Sequence, residues 1–220
     1  MPNIELVNIN KTYISSENSN SDSFSLKNIN INIRDREFLS ILGPSGCGKT
    51  TILKIISGLT SFDSGVVLEN GSDLIRVPVE KRNFAIVSQQ PLLFPNMNLI
   101  DNISFGLKMR GMKKAERYER ALRVIELLKL TGLEKRYPSQ LSGGQCQRGS
   151  IARALVTRPK LLLMDEPFSA LNEELRLELR EFLKNLHRES GLTTILVTHD
   201  KDEAKYLSDR IITMNNGGIV

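Results

Sequence analysis

Tryptophan is absent from this 220-residue chain, and aromatic residues make up only 5% of it. Its core must therefore be filled by aliphatic side chains. Cysteine occurs only at Cys47 and Cys146, a spacing that supports neither a disulfide framework nor a zinc site. No apolar run approaches the roughly 18 residues that a membrane span needs. The opening residues MPNIELVNINKTY lack a basic start followed by an apolar stretch. No signal peptide is expected from them, and the expected compartment is the cytoplasm. Internal repeats are missing, as is any aromatic-interleaved basic signature of RNA recognition, so nucleic acid is not an expected partner.

What is present is ordinary for a folded globular protein, with 40% hydrophobic and 25% charged residues. The length fits one domain, or one domain with an inserted lobe. A net charge of +5 is unevenly spread: residues 111–160 carry 12 Lys/Arg against 4 Asp/Glu, and residues 161–220 carry 7 against 11. Such a basic stretch reads first as a solvated helical face. Nucleic acid, an acidic partner or an anionic membrane surface are weaker readings of it.

Hydrophobic periodicity gives an alternating pattern. Residues 3–9 and 24–33 alternate apolar and polar, as half-buried strands do, and the Ser/Asn-rich stretch 14–23 between them reads as a loop. EFLSIL at 37–42, FAIVS at 84–88, TTILVT at 193–198 and RIITM at 210–214 read as strands. LLLMDE at 161–166 is near-continuously apolar, the mark of a strand buried on both faces. Helices are expected over 51–58, closed by Gly58, and over 112–130, with Tyr118, Leu122, Ile125 and Leu128 on one face. Another starts just past residue 145 and runs through Ile151 to Val156. A long one covers 173–189, with Leu175, Leu179, Phe182 and Leu186 inward and Gly191 closing it. The alternation implies the α/β class: a parallel sheet flanked by helices, with the opening strands as an N-terminal antiparallel β side sheet. The basic helical stretch interrupts the alternation as an inserted helical subdomain. The expected division is a core of about residues 1–90 and 159–220 and a helical subdomain of about 91–158.

GPSGCGKT at 43–50 matches the phosphate loop G-x-x-x-x-G-K-[ST], with a strand before it and a helix after it. In the loop Gly43, Pro44, Ser45, Gly46, Cys47 and Gly48, the glycines let successive backbone N–H groups turn toward a phosphate, and the helix start adds a positive dipole end. Lys49 is placed for the β- and γ-phosphates, Thr50 for Mg²⁺, and Thr51 follows in the helix. LLLMDE ends in two carboxylates at the sheet edge where α/β ligands bind. Asp165 is the candidate for Mg²⁺ and Glu166 for polarising an attacking water. VTHD ends the next strand in His199. A lone strand-end His is more often a surface residue, but three polar strand ends converging on one edge favour function. A second anion cradle, Leu-Ser-Gly-Gly-Gln at 141–145, stands at another helix entrance.

The phosphate loop, Gln89 in VSQQP, LSGGQ, LLLMDEP, SALN and His199 occur in that order. Together they resemble the ATP-binding cassette (ABC) ATPases, over essentially the whole chain. VPVEKRN and QQPLLFPNMNLIDNISFGL are most similar to the importer subunits for maltose, polyamines, iron and sulfate. The resemblance implies a phosphate-loop NTPase core, ATP and Mg²⁺ as ligands, and transport-coupled hydrolysis. It also implies head-to-tail pairing with a second copy or a paralogous cassette. Ser142, Gly143, Gly144 and Gln145 of one chain would then close on the γ-phosphate held by the phosphate loop of the other. Tyr13 would stack on adenine; without the resemblance, core packing is its better reading. Gln89 would touch Mg²⁺ and the attacking water, and His199 the γ-phosphate. The implied partners are transmembrane permease subunits at the cytoplasmic face of the cell membrane and, indirectly, an extracytoplasmic solute-binding protein.

The chain departs from the family pattern in places. Asn172 replaces the usual Asp of SALD in a loop that crosses the dimer seam, which puts coupling between the two sites in question. Cys146 replaces a common Arg, and Gly149-Ser150 replace Val-Ala, which predicts a weaker signature helix. Head-to-tail pairing further predicts that Cys47 and Cys146 of two chains can be linked by oxidation or a short thiol reagent. A DNA-repair or chromosome ATPase would need a coiled coil between Lys49 and Ser142, and the 93 residues separating them are too few. A nucleotide-binding regulator without turnover is the remaining alternative, and Glu166 argues against it.

Overall fold

Two sheets clasp one helix between them. The computed structural model describes residues 2–13, 24–169 and 171–220; the expected polar loop over 14–23 lies outside them. Strands β1 (Ile4–Tyr13), β2 (Phe24–Ile33), β4 (Ser64–Glu69) and β5 (Ser72–Asp73) form an antiparallel sheet in the order β2-β1-β4-β5. The larger sheet uses β3 (Phe38–Leu42), β6 (Phe84–Val87), β7 (Leu161–Asp165), β8 (Thr193–Thr198), β9 (Arg210–Asn215) and β10 (Gly218–Ile219), in the order β10-β9-β3-β8-β7-β6. All its pairings are parallel except the terminal β9–β10 hairpin. The parallel core and antiparallel side sheet read from the sequence are both present.

Period-two alternation sorts the central strands onto two cores. Leu39 and Ile41 of β3, Leu161 and Leu163 of β7, and Ile195 and Val197 of β8 join Ile52, Leu53, Ile55 and Ile56 of helix α1 (Lys49–Ser57) and the inner face of the side sheet. Phe38, Leu162, Met164 and Leu196 point the other way. There they pack with helices α2 (Leu99–Met109), α3 (Lys114–Leu127), α4 (Gly143–Leu155), α5 (Glu173–Ser190) and α6 (Lys201–Leu207). Gly58 closes α1 and Gly191 closes α5 in the left-handed conformation, as the sequence predicts.

Helices α2, α3 and α4 leave the chain between β6 and β7, which are neighbours in the sheet. Their packing residues Leu99, Ile103, Ile125 and Ile151 are continuous with Val87, Leu162 and Met164 of the sheet in one buried cluster. Tyr118 of α3 donates to Asp101 Oδ1 of α2 at 2.6 Å, tying these helices together. Two sequence expectations need correction here. The helix expected over 112–130 runs over Lys114–Leu127, and Leu122 is 45% exposed. The buried stripe is Arg117, Ala121 and Ile125, followed by Leu128. Leu122 stands about 100° round the helix from Ala121 and so turns outward.

The β4–β5 hairpin and α6 escaped the sequence reading. The hairpin carries a usable signal in Asn70-Gly71, whose φ of 51° and 78° are those of a primed turn. Helix α6 has only seven residues, too few for periodicity to register.

Arg82 is buried with its guanidinium bonded to three carbonyls: Nε to Val77 O at 3.0 Å, Nη1 to Ile56 O at 3.1 Å and Nη2 to Leu74 O at 2.7 Å. It satisfies the last turn of α1 and pins the 74–82 segment beneath it. Arg82→Met removes these guanidinium donors from Val77 O and Ile56 O and leaves Leu74 O with only the Val77 N–H. The expected loss is about 2–4 kcal/mol, read as a melting temperature roughly 5–15 °C lower.

Candidate functional site

Strand register decides where the polar residues emerge. Leu42 at the end of β3 lies opposite Thr198 of β8 and Thr213 of β9, and Asp165 of β7 lies opposite Val197. The β3, β7 and β8 ends therefore reach one edge of the sheet together. Residues 43–48 turn there from β3 into α1, with Gly48 as its N-cap at φ 105°. A Cβ on Gly48 would stand 2.6 Å from Phe24 Cζ and 2.5 Å from Leu26 Cδ2, so both the turn and the packing require glycine.

Lys49 is 4% exposed, and its Nζ donates to the carbonyls of Gly43 and Pro44, each at 2.8 Å. Thr50 Oγ1 donates to Asp165 Oδ1 at 3.0 Å. His199 Nδ1 is 3.2 Å from Glu166 Oε2, with the imidazole side chain 60% exposed. Glu166 has φ 43°, a sparsely populated conformation for a side-chain-bearing residue. It is held by Glu166 N donating to Val197 O at 2.9 Å and by Ser169 Oγ donating to Glu166 O at 3.0 Å. A cleft of about 280 Å³ is lined by Phe24, Ser45, Gly46, Gly48, Lys49, Thr50, Thr51, Gln89 and Glu166. Phe24 was not among the residues expected from sequence, because only the fold brings this strand-start aromatic against Gly48 of the loop. Tyr13 is 41% exposed and tilts against Phe24 with ring centroids 6.3 Å apart, so it stands beside the cleft rather than in its lining.

Burial, joined by the neighbouring Glu166 charge, raises the Asp165 carboxyl above its ordinary value against the Thr50 hydrogen bond and Lys49. Among the described residues no three His, Cys, Asp or Glu side chains cluster as a metal site. The Thr50–Asp165 pair instead offers two hard oxygen donors 3.0 Å apart. It suits Mg²⁺, which takes hard oxygen ligands and commonly fills its shell with phosphate oxygens and water.

The 141–145 stretch opens α4 elsewhere on the chain and contributes nothing to that cleft. Ser142 Oγ accepts from Gln145 N at 3.2 Å, and Gln145 Oε1 accepts from Ser142 N at 2.9 Å, a reciprocal capping box. Gly143 is exposed, and nothing lies within 4 Å of the Cβ position it lacks. Farther along α4, Gln147 is fully buried and its Nε2 donates to Ser88 O at 3.3 Å, next to Gln89. This link between α4 and the end of β6 was missed, because nothing distinguishes a buried Gln in a polar helical run.

Two expectations fail on side-chain direction. Cys47 is 4% exposed and belongs to the core around α1, so only its backbone faces the loop. Cys146 is partly buried with Sγ 3.6 Å from Pro138 O, and burial raises its thiol pKa. Linking the two thiols is therefore not expected. The predicted weakness at Gly149 is also offset. A Cβ there would come within 2.9 Å of Leu99 Cδ1 and 3.3 Å of Leu93 Cδ1, which occupy the space. Asn172 caps α5, accepting from Leu175 N at 3.0 Å.

The family model described as "ABC transporter" matches residues 26–169. A spermidine/putrescine import ATP-binding protein of Mesoplasma florum is 48% identical over 85% of this chain and 53% of its own length. A sulfate/thiosulfate import ATP-binding protein of Chromobacterium violaceum is 50% identical over 85% of this chain and 51% of its own. The chain thus spans about half the length of these curated relatives. Among solved structures, the dimeric post-hydrolysis state of the ATP-binding cassette MJ0796, bound to ADP and Pi, matches with a TM-score of 0.89 and 35% identity, over 98% of this chain and 96% of that one. Among the described residues no helix is long and apolar enough to cross a membrane.

The raised Asp165 pKa has a measurable sign. Its folded value lies above the unfolded one, so at neutral pH the fold holds a charge that it disfavours, and this cost fades as pH falls through the folded value. Asp165→Asn keeps the oxygen that accepts from Thr50. The variant is expected to melt higher than the native chain at pH 7.5, with the gap closing as the pH is lowered into the carboxylate range, by calorimetry.

Proposed function

The chain belongs to the ABC transporter family, and from that membership we propose that it is the ATP-hydrolysing subunit of a membrane importer. In this reading two copies, or one copy and a paralogous cassette, pair head to tail around ATP. They act at the cytoplasmic face of the membrane through permease subunits, and an extracytoplasmic solute-binding protein supplies cargo. The observation that carries the reading is the convergence at one sheet edge of the Lys49 loop, the Thr50–Asp165 pair and the Glu166–His199 pair. Residues of about 1–90 and 159–220 act as the nucleotide-binding core, and about 91–158 as the helical subdomain that meets the permease. Relatives named for polyamine and for sulfate match about equally well, so the cassette does not single out a cargo.

Each residue has a definite task in this mechanism. Residues 43–51 cradle the phosphates, and Lys49 exchanges its two loop carbonyls for phosphate oxygens. Tyr13 stacks on the base at the rim. Thr50 and Asp165, with Gln89 beside them, would hold Mg²⁺, which would supply positive charge against the phosphate oxygens. Glu166 polarises and aligns the attacking water. His199 lies within reach of Glu166 and steers toward the γ-phosphate. Ser142, Gly143, Gly144 and Gln145 present a helix start to the nucleotide held by the partner chain. Asn172 sits at the seam between copies.

Glu166→Gln is expected to cut steady-state ATP turnover by roughly 10²–10⁴ while nucleotide binding survives, so that an ATP-loaded dimer accumulates on size exclusion. Native-rate hydrolysis by this variant would remove Glu166 from the mechanism. Asp caps a helix about as well as Asn. Asn172→Asp is therefore expected to leave the melting temperature within about 1–2 °C and to raise the ATPase rate or its cooperativity in ATP. If both kinetic quantities stay put, the substitution is neutral.

A further inference from the structure

A buried charged network lies behind the two strand ends of the site. Arg180, on the inner face of α5, is 8% exposed. Its Nη2 donates to Glu203 Oε1 at 3.0 Å and to Asp200 Oδ2 at 3.3 Å. Glu203, 4% exposed, accepts from Thr198 Oγ1 at 2.7 Å, and that hydroxyl accepts from Asp200 N at 3.0 Å. Asp200 Oδ1 caps α6 by accepting from Asp202 N at 2.8 Å and Glu203 N at 3.1 Å. Burial works against the Asp200 charge, yet these N–H donors and Arg180 hold its pKa below the usual carboxylate value. The residues on both sides of His199 are thus fastened to α5 and α6, while the imidazole between them is largely exposed.

The same guanidinium lies over the Phe168 ring, 6.0 Å from its centroid. Phe168 is 1% exposed and follows Glu166 by two residues, in the turn that holds Glu166 at positive φ. Arg180 therefore touches both segments that carry the Glu166–His199 pair. Stability is a poor explanation for it. A buried ion pair is often replaceable by apolar residues without loss, and Arg180 Nε is itself buried with no partner. What the network supplies is position.

We propose that Arg180 and Glu203 are positioning residues, which fix the backbone around His199 relative to Glu166 so that the imidazole meets the carboxylate at the cleft. The inference rests on the proposed function and adds to it a pair of residues outside the cleft lining that act through the strand ends. Its chemistry is a mechanical tie: no proton or bond changes hands at Arg180.

The test uses the purified chain. Arg180→Met combined with Glu203→Gln removes the charge pair but leaves an oxygen to accept from Thr198, and thermal melting reports whether the fold survives. The expected result is a fall in kcat of about 10–100-fold, the scale of a misplaced reacting group, with KM for ATP within about twofold. In a His199→Ala background, measured as single turnovers with enzyme in excess, the same pair of changes is expected to cost no more than about twofold. If the combined variant does not fold, Asp200→Asn serves in its place. It retains a capping oxygen and is expected to lower kcat by about threefold or more under the same criteria. A folded variant with native kcat, or one that loses the same factor with and without His199, overturns the inference and leaves the proposed function standing. A native chain that binds ATP and does not hydrolyse it overturns both.

Discussion

The Lys49 loop, Asp165, Glu166 and His199 all depend on the register of the parallel strands β3, β7 and β8. Strands buried on both faces are not registered by an inside-outside pattern, because both of their faces are apolar. Here the register is set at their ends. Sliding β7 by one residue toward its start would draw the Asp165 carboxylate into the packed interior, at a cost of several kcal/mol for an unpaired charge. Sliding β8 the same way would draw in His199. The residues that make the site chemically able are thus also those that stop the sheet from slipping.

That coupling explains how much could be read from sequence. LLLMDE and TTILVT announce themselves because an apolar run that stops at polar residues specifies both a buried strand and its edge. The phosphate loop was legible for a similar reason, since its glycines are needed for backbone conformation. Phe24, Gln147, Arg180 and Glu203 were not legible. Each matters through a contact that no local sequence pattern announces: with Gly48, Ser88, Phe168 and Thr198 respectively. Leu122 and Cys47 were misjudged in direction rather than importance. A pattern of apolar residues names a helix, but the neighbouring helices choose which 100° of it to cover.

The two anion cradles share a physical design. In the first, the charged side chain of Lys49 holds the loop by its carbonyls. In the second, Ser142 and Gln145 satisfy each other's backbone donors and fix the start of α4. Both are shaped by the chain's own hydrogen bonds. A phosphate meeting either one does not have to order it, so less of the binding energy goes into conformational entropy. One cradle lies in the cleft and the other outside it, a placement compatible with the proposed sharing of a nucleotide between two chains.

The bonds of Lys49 also bear on which anions can compete for the loop. Its ammonium already has two good acceptors at 2.8 Å. An incoming anion gains only the difference between its own oxygens and two peptide carbonyls. A single small anion such as chloride or a monocarboxylate offers few contact points for that exchange. A chain of adjoining phosphates offers many oxygens at once and reaches the backbone and the helix dipole in the same step. In the proposed function the resting hydrogen bonds of the lysine therefore favour a polyphosphate over a simple anion, before any feature of the base or sugar is consulted.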